Sequence, residues 1–325
     1  TPSSRKICTT LYSKDYKTAK YNNFVDTNYL EIDNLFTITG EEGGDYHRQS
    51  DNADGSVNNK RCRNTSGVVD GLVDEAKGLI NFVRGEDYFD YDADCNLTET
   101  KTKPMGDIYH SQLVVVGKPS AETSFTSTNQ EAYWRNIKSY TTFAEAQSSR
   151  KEVLYAGSNS GILHAIDGLT GVEIWGFVPP FIAAKMPGMI NPKLNNVNPD
   201  KGGSNAIYGV DGSPVQHDIF FKSPHDNSSR WHTIIFVPYG RGGSGFSILD
   251  VTDPNRPEHL VSIYNDLAQN KVFRMDHASN LYTYDYVGSQ FTLSETTEAV
   301  RAGDNFSGNK DGVCLLYTSP SPRDS

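Results

Sequence analysis

Two stretches of the chain run through one order: strand, glycine-rich turn, strand ending in Asp, turn, strand. The first is Val153 to Val178, where "VLYAGS", "ILHAID" and "VEIWGFV" are separated by "NSG" and "GLTG". The second is Trp231 to Tyr264, with "WHTIIFVPY", "GFSILDV" and "HLVSIYN". Gly161 to Asp167 aligns with Gly245 to Asp250 after a one-residue shift, and Thr170-Gly171 falls opposite the turn at Asp253-Pro254. Short apolar runs bounded by Gly, Asp and Thr read as antiparallel strands joined by tight turns. Such a unit, recurring after roughly 80 residues with a long insert between copies, points to the blades of a β-propeller. The expected fold is therefore mainly β: an incomplete propeller with an N-terminal helix and long irregular loops. Asp167 and Asp250 end equivalent strands, where a carboxylate accepts N–H groups of the following turn. Asp253, in the second turn, joins the same structural set.

Composition agrees with a β-rich chain. There are 28 Gly, 18 Tyr and 15 Phe in 325 residues; aromatics fill strands and Gly fills turns. The net charge of -10 argues against a nucleic-acid binder or an anionic-membrane binder, since both need a basic surface. No apolar run approaches the ~18 residues of a membrane-spanning helix.

Around the repeat the chain is uneven. Residues 1 to 67 are polar and irregular apart from the strand-like "RKICTTLY". Val69, Leu72, Val73, Ala76, Leu79, Ile80 and Val83 recur at helical spacing and predict an amphipathic helix ending at Gly85. A strand is expected at Gln112 to Val116, a short helix around Trp134, and a further unit beginning at "NLYTYDYVGS". This divides the chain into a lead-in segment with the start of the helix (1–79), a partial propeller (80–313) and a tail (314–325). The tail, "CLLYTSPSPRDS", resembles a translated sequencing adapter, so the natural chain is expected to continue past Val313. No secretory signal is visible at Thr1, and export would rest on one lying upstream.

Four motifs carry potential chemistry. Gly240, Gly242 and Gly245 have the G-x-G-x-x-G spacing of a dinucleotide fingerprint, but a strand follows where that motif needs a helix. A tight turn is the reading. Asp90, Asp92, Asp94 and Asn96 alternate as calcium ligands do, although Cys95 and Lys101 stand where a calcium loop has Gly and Glu; a solvated acidic loop is the alternative. With the tail set aside, Cys8, Cys62 and Cys95 allow at most one internal pair. Cys62 and Cys95 flank the helix and would close a loop of roughly 30 residues, worth about 3 kcal/mol. His164, His217, His225, His232 and His277 form no H-E-x-x-H or tight pair and read as structural.

Several segments together resemble the tip-associated adhesins of type IV pili, the PilC/PilY family. They are "RGEDYFDYDADC", "PMGDIYHSQLVVVG", "VLYAGSNSGILHAIDGLTGVEIWGFVPP", "IYGVDGSPVQHDIFF" and "GRGGSGFSILDVTDPNRPEHL", in matching order between about Val68 and Asn265. The resemblance implies a C-terminal quinoprotein-like propeller, exported through the periplasm of a Gram-negative bacterium and displayed at the pilus tip or cell surface. It implies a non-enzymatic adhesin and pilus biogenesis factor that balances extension against retraction in twitching motility. Minor pilins and the pilus tip are the implied partners, with an unidentified surface ligand. Calcium is the one cofactor it admits, and no organic cofactor is expected. Some members carry Arg-Gly-Asp where this chain has Arg84-Gly85-Glu86, which puts integrin-type recognition in question. "AIDGLTGVEIW" also resembles the repeat of quinone-dependent dehydrogenases, in which Trp175 would dock between neighbouring blades and Thr170-Gly171 would make the turn. A quinone-dependent periplasmic dehydrogenase is thus the alternative function.

Overall fold

In the computed structural model, which describes residues 1–10, 20–39, 72–87, 99–125, 130–189, 206–225, 228–287 and 290–293, many consecutive strands form short hairpins, and those after the strands ending in Asp167, Asp250, Asp266 and Asp276 are capped by that Asp. The first sheet contains β1 (Ile7–Thr9), β2 (Val114–Val116), β3 (Val153–Gly157), β4 (Leu163–Asp167) and β5 (Glu173–Val178), in the order β1-β5-β4-β3-β2. The second contains β6 (Val215–Lys222), β7 (Ser229–Pro238), β8 (Gly245–Asp250), β9 (Glu258–Asp266), β10 (Lys271–Asp276), β11 (Leu281–Val287) and β12 (Gln290–Leu293), paired strictly in sequence order. The repeat seen in the sequence is therefore β3-β4-β5 and β7-β8-β9. Each copy gains a preceding antiparallel strand, β2 or β6, giving two four-stranded meanders of blade type. Both copies also slip register by a bulge, at Ala165/Ile166 and at Ile248/Leu249, which bends the strand that carries the capping Asp.

Three strands, β6, β10 and β12, were not anticipated, and one was placed differently. In β6 the polar stretch Gln216, His217 and Asp218 follows Val215, so its apolar run is too short to read as a strand. β10 is six residues with Lys at its start and Asp at its end. "NLYTYDYVGS" was expected to begin a further unit. Instead β11 is the sixth strand of the second sheet, because β9 and β10 pair directly from Asp266↔Lys271 onward. The turn between them is tight enough for this. Asp266 Oδ1 accepts the Ala268 and Gln269 N–H groups at 3.0 and 3.1 Å, and Asn270 takes a left-handed φ of 54° that Asn tolerates.

β1 joins β5 in parallel, pairing Ile7 with Gly176 and Thr9 with Val178. Its other edge would expose unpaired backbone groups. The Asn23 side chain fills that role: Thr9 N–H donates to Asn23 Oδ1 at 2.7 Å, and Asn23 Nδ2 donates to Thr9 O at 2.9 Å. Behind this strand lie α1 (Tyr29–Phe36) and α2 (Leu72–Arg84). The predicted helix stripe is buried where it is described, at Ala76, Leu79, Ile80 and Val83, and it packs with Ile32, Leu35, Phe36 and Ile7 into the core that continues through Trp175 and Phe181. The boundary drawn between residues 79 and 80 runs through α2. The expected helix around Trp134 is two short ones, α3 (Gln130–Ile137) and α4 (Tyr140–Ala146), and α5 (Pro180–Ala183) follows β5. Among the described residues no helix is long and apolar enough to cross a membrane.

Trp175 joins the two sheets. It is 1% exposed, packs against the Tyr155 ring at 5.6 Å, and donates its Nε1–H to Pro254 O in the β8–β9 turn at 2.8 Å. Trp175→Phe keeps most of the apolar area but leaves that carbonyl without its donor, a loss of about 1–3 kcal/mol. Chemical denaturation of the variant is expected to show this as a lower midpoint with an unchanged slope; an unchanged midpoint would mean the indole contact does not join the sheets.

Candidate functional site

The chemistry-bearing residues fall into a buried relay, a set of hairpin caps and a polar cleft. The relay begins at Arg5, just before β1. Its guanidinium donates to Glu173 from Nε at 2.6 Å and from Nη2 at 2.7 Å, and from Nη1 to Arg84 O at 2.8 Å. Arg84, at the end of α2, returns the link by donating to Arg5 O, Phe24 O, Pro2 O and Asn22 Oδ1. Glu173 Oε1 also accepts from His164 Nδ1 at 2.7 Å, and the Ser158 hydroxyl lies 2.8 Å from His164 Nε2. Ser160 follows at 2.6 Å from Ser158 and donates to Met105 O at 2.9 Å.

Ser158, His164 and Glu173 thus have the contact order of an acyl-transfer triad. No local motif announces it, because the three residues lie on separate strands and turns. The environment does not suit catalysis. Ser158 is 1% exposed and His164 is fully buried, and Glu173 is shared with a permanent cation. The second blade carries a comparable buried chain, Tyr239–Ser247–Ser262–His259, with contacts of 2.8, 2.7 and 2.8 Å. Both chains cross-link the strands of a blade through its interior, where paired polar groups specify one packing.

The blade residues singled out in the sequence sit at hairpin ends. Asp167 Oδ1 accepts the Leu169 and Thr170 N–H groups at 3.0 Å each, and Gly171, at φ 70°, closes the turn. Asp250 Oδ1 accepts from Thr252 N–H at 2.9 Å, while its Oδ2 lies 2.6 Å from His232 Nδ1. Asp253 Oδ1 accepts from Asn255 N–H at 2.9 Å. Asp266 and Asp276 do the same after β9 and β10 and were missed, although each also ends a strand. The glycine run is a 3₁₀ turn, Gly240–Gly242, leading into β8. A Cβ at Gly242 would run into the Gly209 carbonyl oxygen, so close backbone approach accounts for the glycine there. Asp90, Asp92, Asp94, Asn96, Cys62 and Cys95 lie outside the described residues. Cys8 is a free, buried thiol, pushed up to about 12 by burial and unreactive for that reason. Among the described residues no group of three or more His, Cys, Asp or Glu is arranged to hold a metal ion.

A cleft of about 250 Å³ opens between β2 with its following loop and β6, the first strands of the two meanders. Lys118, Arg135, Arg150 and His217 line it, with Gln216 and Asp218. Arg150 donates to Gly117 O from Nε at 2.7 Å and to Thr233 Oγ1 from Nη1 at 2.7 Å. Asp218 accepts from Tyr140 Oη at 2.5 Å, Thr233 Oγ1 at 2.6 Å and Gln216 Nε2 at 3.2 Å. Burial holds Arg150 below the usual arginine value, with Asp218 opposing that shift.

The relay sets a pH dependence. Burial pushes Glu173 up, but the Arg5 and His164 hydrogen bonds outweigh it and hold the carboxyl at about 2, against 4.5 for a free side chain. A depressed folded value gives stability that is fully present above about pH 4.5 and is lost as pH falls toward 2. The contribution near neutrality is on the order of 3 kcal/mol. Denaturation midpoints measured from pH 6 to pH 2 are expected to fall steeply below about 4.5 in the native chain. Glu173→Gln is expected to be less stable near neutrality and to show a flatter acid limb. Parallel acid limbs in the two proteins would show that Glu173 is not held ionised by this network.

A family model described as the PilY1 beta-propeller domain matches residues 105–272. A Xylella fastidiosa protein named type IV pilus biogenesis factor PilY1 homolog is 34% identical over 176 residues, covering 54% of this chain and 13% of that protein. The Pseudomonas aeruginosa strain PAO1 protein named type IV pilus biogenesis factor PilY1 is 36% identical over 155 residues, covering 48% of this chain and 12% of that one. The chain therefore spans only about an eighth of the length of these relatives. The crystal structure of the Pseudomonas aeruginosa PilY1 C-terminal domain aligns at 24% identity and a TM-score of 0.33, over 54% of this chain and 38% of that one. With more than half of its residues inside the family model, the chain belongs to the PilY1 beta-propeller domain family.

Proposed function

We propose that this chain is the propeller portion of a type IV pilus biogenesis factor, exported and working at the pilus tip as an adhesin without catalytic turnover. The observation that carries the reading is the family match over residues 105–272, together with relatives that bear the biogenesis-factor name. The Ser158–His164–Glu173 contact is buried and committed to Arg5, so the polar interior serves rigidity. A rigid blade scaffold presents loops, and loops tolerate the variation that binding demands. The segments 185–204 and 225–230 are proposed from the sequence for surface contact, with minor pilins as the partners on the pilus side. Calcium at Asp90, Asp92, Asp94 and Asn96 belongs to the proposal on sequence spacing alone, and no step of it runs through the ion. No observation favours the quinone-dependent dehydrogenase.

Deleting the gene in the bacterium that carries it tests the role directly. Electron microscopy is expected to show few or no surface pili, with attachment and twitching lost together, and the intact gene is expected to restore all three. Normal piliation and motility in the deletion strain would overturn the proposal.

A further inference from the structure

The cleft between β2 and β6 carries an imbalance of charge that the rest of the structure does not resolve. The whole chain is acidic, at -10, yet the cleft gathers Lys118, Arg135 and Arg150 around a single carboxylate, Asp218. That carboxylate is occupied by two hydroxyls and an amide, from Tyr140, Thr233 and Gln216. It reaches Arg150 only through the Thr233 hydroxyl. Arg150 itself is held by neutral acceptors, Gly117 O and Thr233 Oγ1, with no direct ion pair among the described residues. Lys118, which is exposed, has no ion pair there either. Arg135 is partly committed, since it donates to the exposed Glu131 at 2.6 Å and to Glu122 O at 3.0 Å.

A partly buried cation held without a carboxylate loses solvation that no direct charge partner returns. An anionic ligand would return it, and guanidinium and ammonium groups together suit an oxyanion. The space also bears on what carries the anion. A bare oxyanion needs only a few times the ~10–15 Å³ that holds one water, whereas the cleft measures about 250 Å³. Its walls are mainly polar and include the Gln216 amide and the His217 imidazole, which favours a carrier rich in hydroxyl groups over an apolar acid. We propose that the cleft between β2 and β6 binds a sugar acid, with the carboxylate directed to Arg150 and Lys118 and the hydroxyls to Gln216 and His217. The inference goes beyond the pilus role and does not depend on it, because binding is measured on the isolated chain.

Isothermal titration calorimetry with galacturonate, galactose and inorganic sulfate provides the test, at low ionic strength where screening is weak. Galacturonate is expected to give a one-site isotherm, at least about tenfold tighter than sulfate, and galactose none. Lys118→Glu reverses the charge of an exposed side chain, so folding is expected to be unaffected. It should weaken galacturonate at least about tenfold with an unchanged melting temperature. Arg135→Ala, read the same way, keeps the test independent of one variant. Three results would overturn the proposal: no galacturonate isotherm, an isotherm unchanged in both variants, or sulfate binding as tightly as galacturonate. The last would mark an adventitious ion only.

Discussion

The carboxylate of Glu173 is the point at which three parts of the chain meet. It accepts two hydrogen bonds from Arg5 in the lead-in segment and one from His164 in β4, while sitting itself at the start of β5. Arg5 is fixed in turn by Arg84 at the end of α2, so the helix, the parallel strand β1 and the first blade share one network. Breaking a buried ion pair by removing one partner costs about 3–5 kcal/mol, because the other charge is left uncompensated. That cost is what makes β1 part of the blade. Three residues of parallel pairing would otherwise be a weak attachment, since short strands gain little against the entropy of closing a long loop.

The second sheet is held by a different device. Its strands are consecutive hairpins, so the pairing is local and the turns decide the register. An Asp at the strand end takes up turn N–H groups after β8, β9 and β10, and after β4 in the first sheet. The sheets then meet where the Trp175 indole reaches Pro254 O, and where the cleft separates β2 from β6. The same inter-blade seam is closed by an indole at one place and left open as a polar cleft at another. The open part gathers Lys118, Arg135 and Arg150.

The strands that alternate, or that run as continuous apolar stretches, were legible in the sequence. β3, β4, β5, β7, β8 and β9 fall within the two repeated units, and α2 within its periodic stripe. The Asp at each strand end was equally readable, yet only Asp167 and Asp250 were singled out, because Asp266 and Asp276 lie beyond the aligned units. β6 was hidden because the Gln216-His217-Asp218 stretch breaks its apolar run, and those polar residues are the ones that line the cleft. The pairing of β1 with β5 leaves no local trace, since its partners, such as Ile7 and Gly176, lie far apart in the sequence. The relay is invisible for the same reason: Arg5, Ser158, His164 and Glu173 become neighbours only after the sheet has formed. Sequence reasoning treated His164 as structural from the lack of any motif, and the buried contacts with Ser158 and Glu173 supply the physical reason.

Native-state hydrogen exchange, resolved residue by residue, tests most directly whether the lead-in strand is part of the blade. The Gly176 N–H donates to Lys6 O across the β1–β5 seam at 2.8 Å, and the Thr9 N–H is covered by Asn23. Both amides are expected to open with the same free energy as the amides of β4, as members of one cooperative unit. Exchange at either amide on the time scale of a fraying terminus, while β4 stays protected, would contradict the account. It would show that Arg5 and Glu173 decorate the blade without joining the lead-in segment to it.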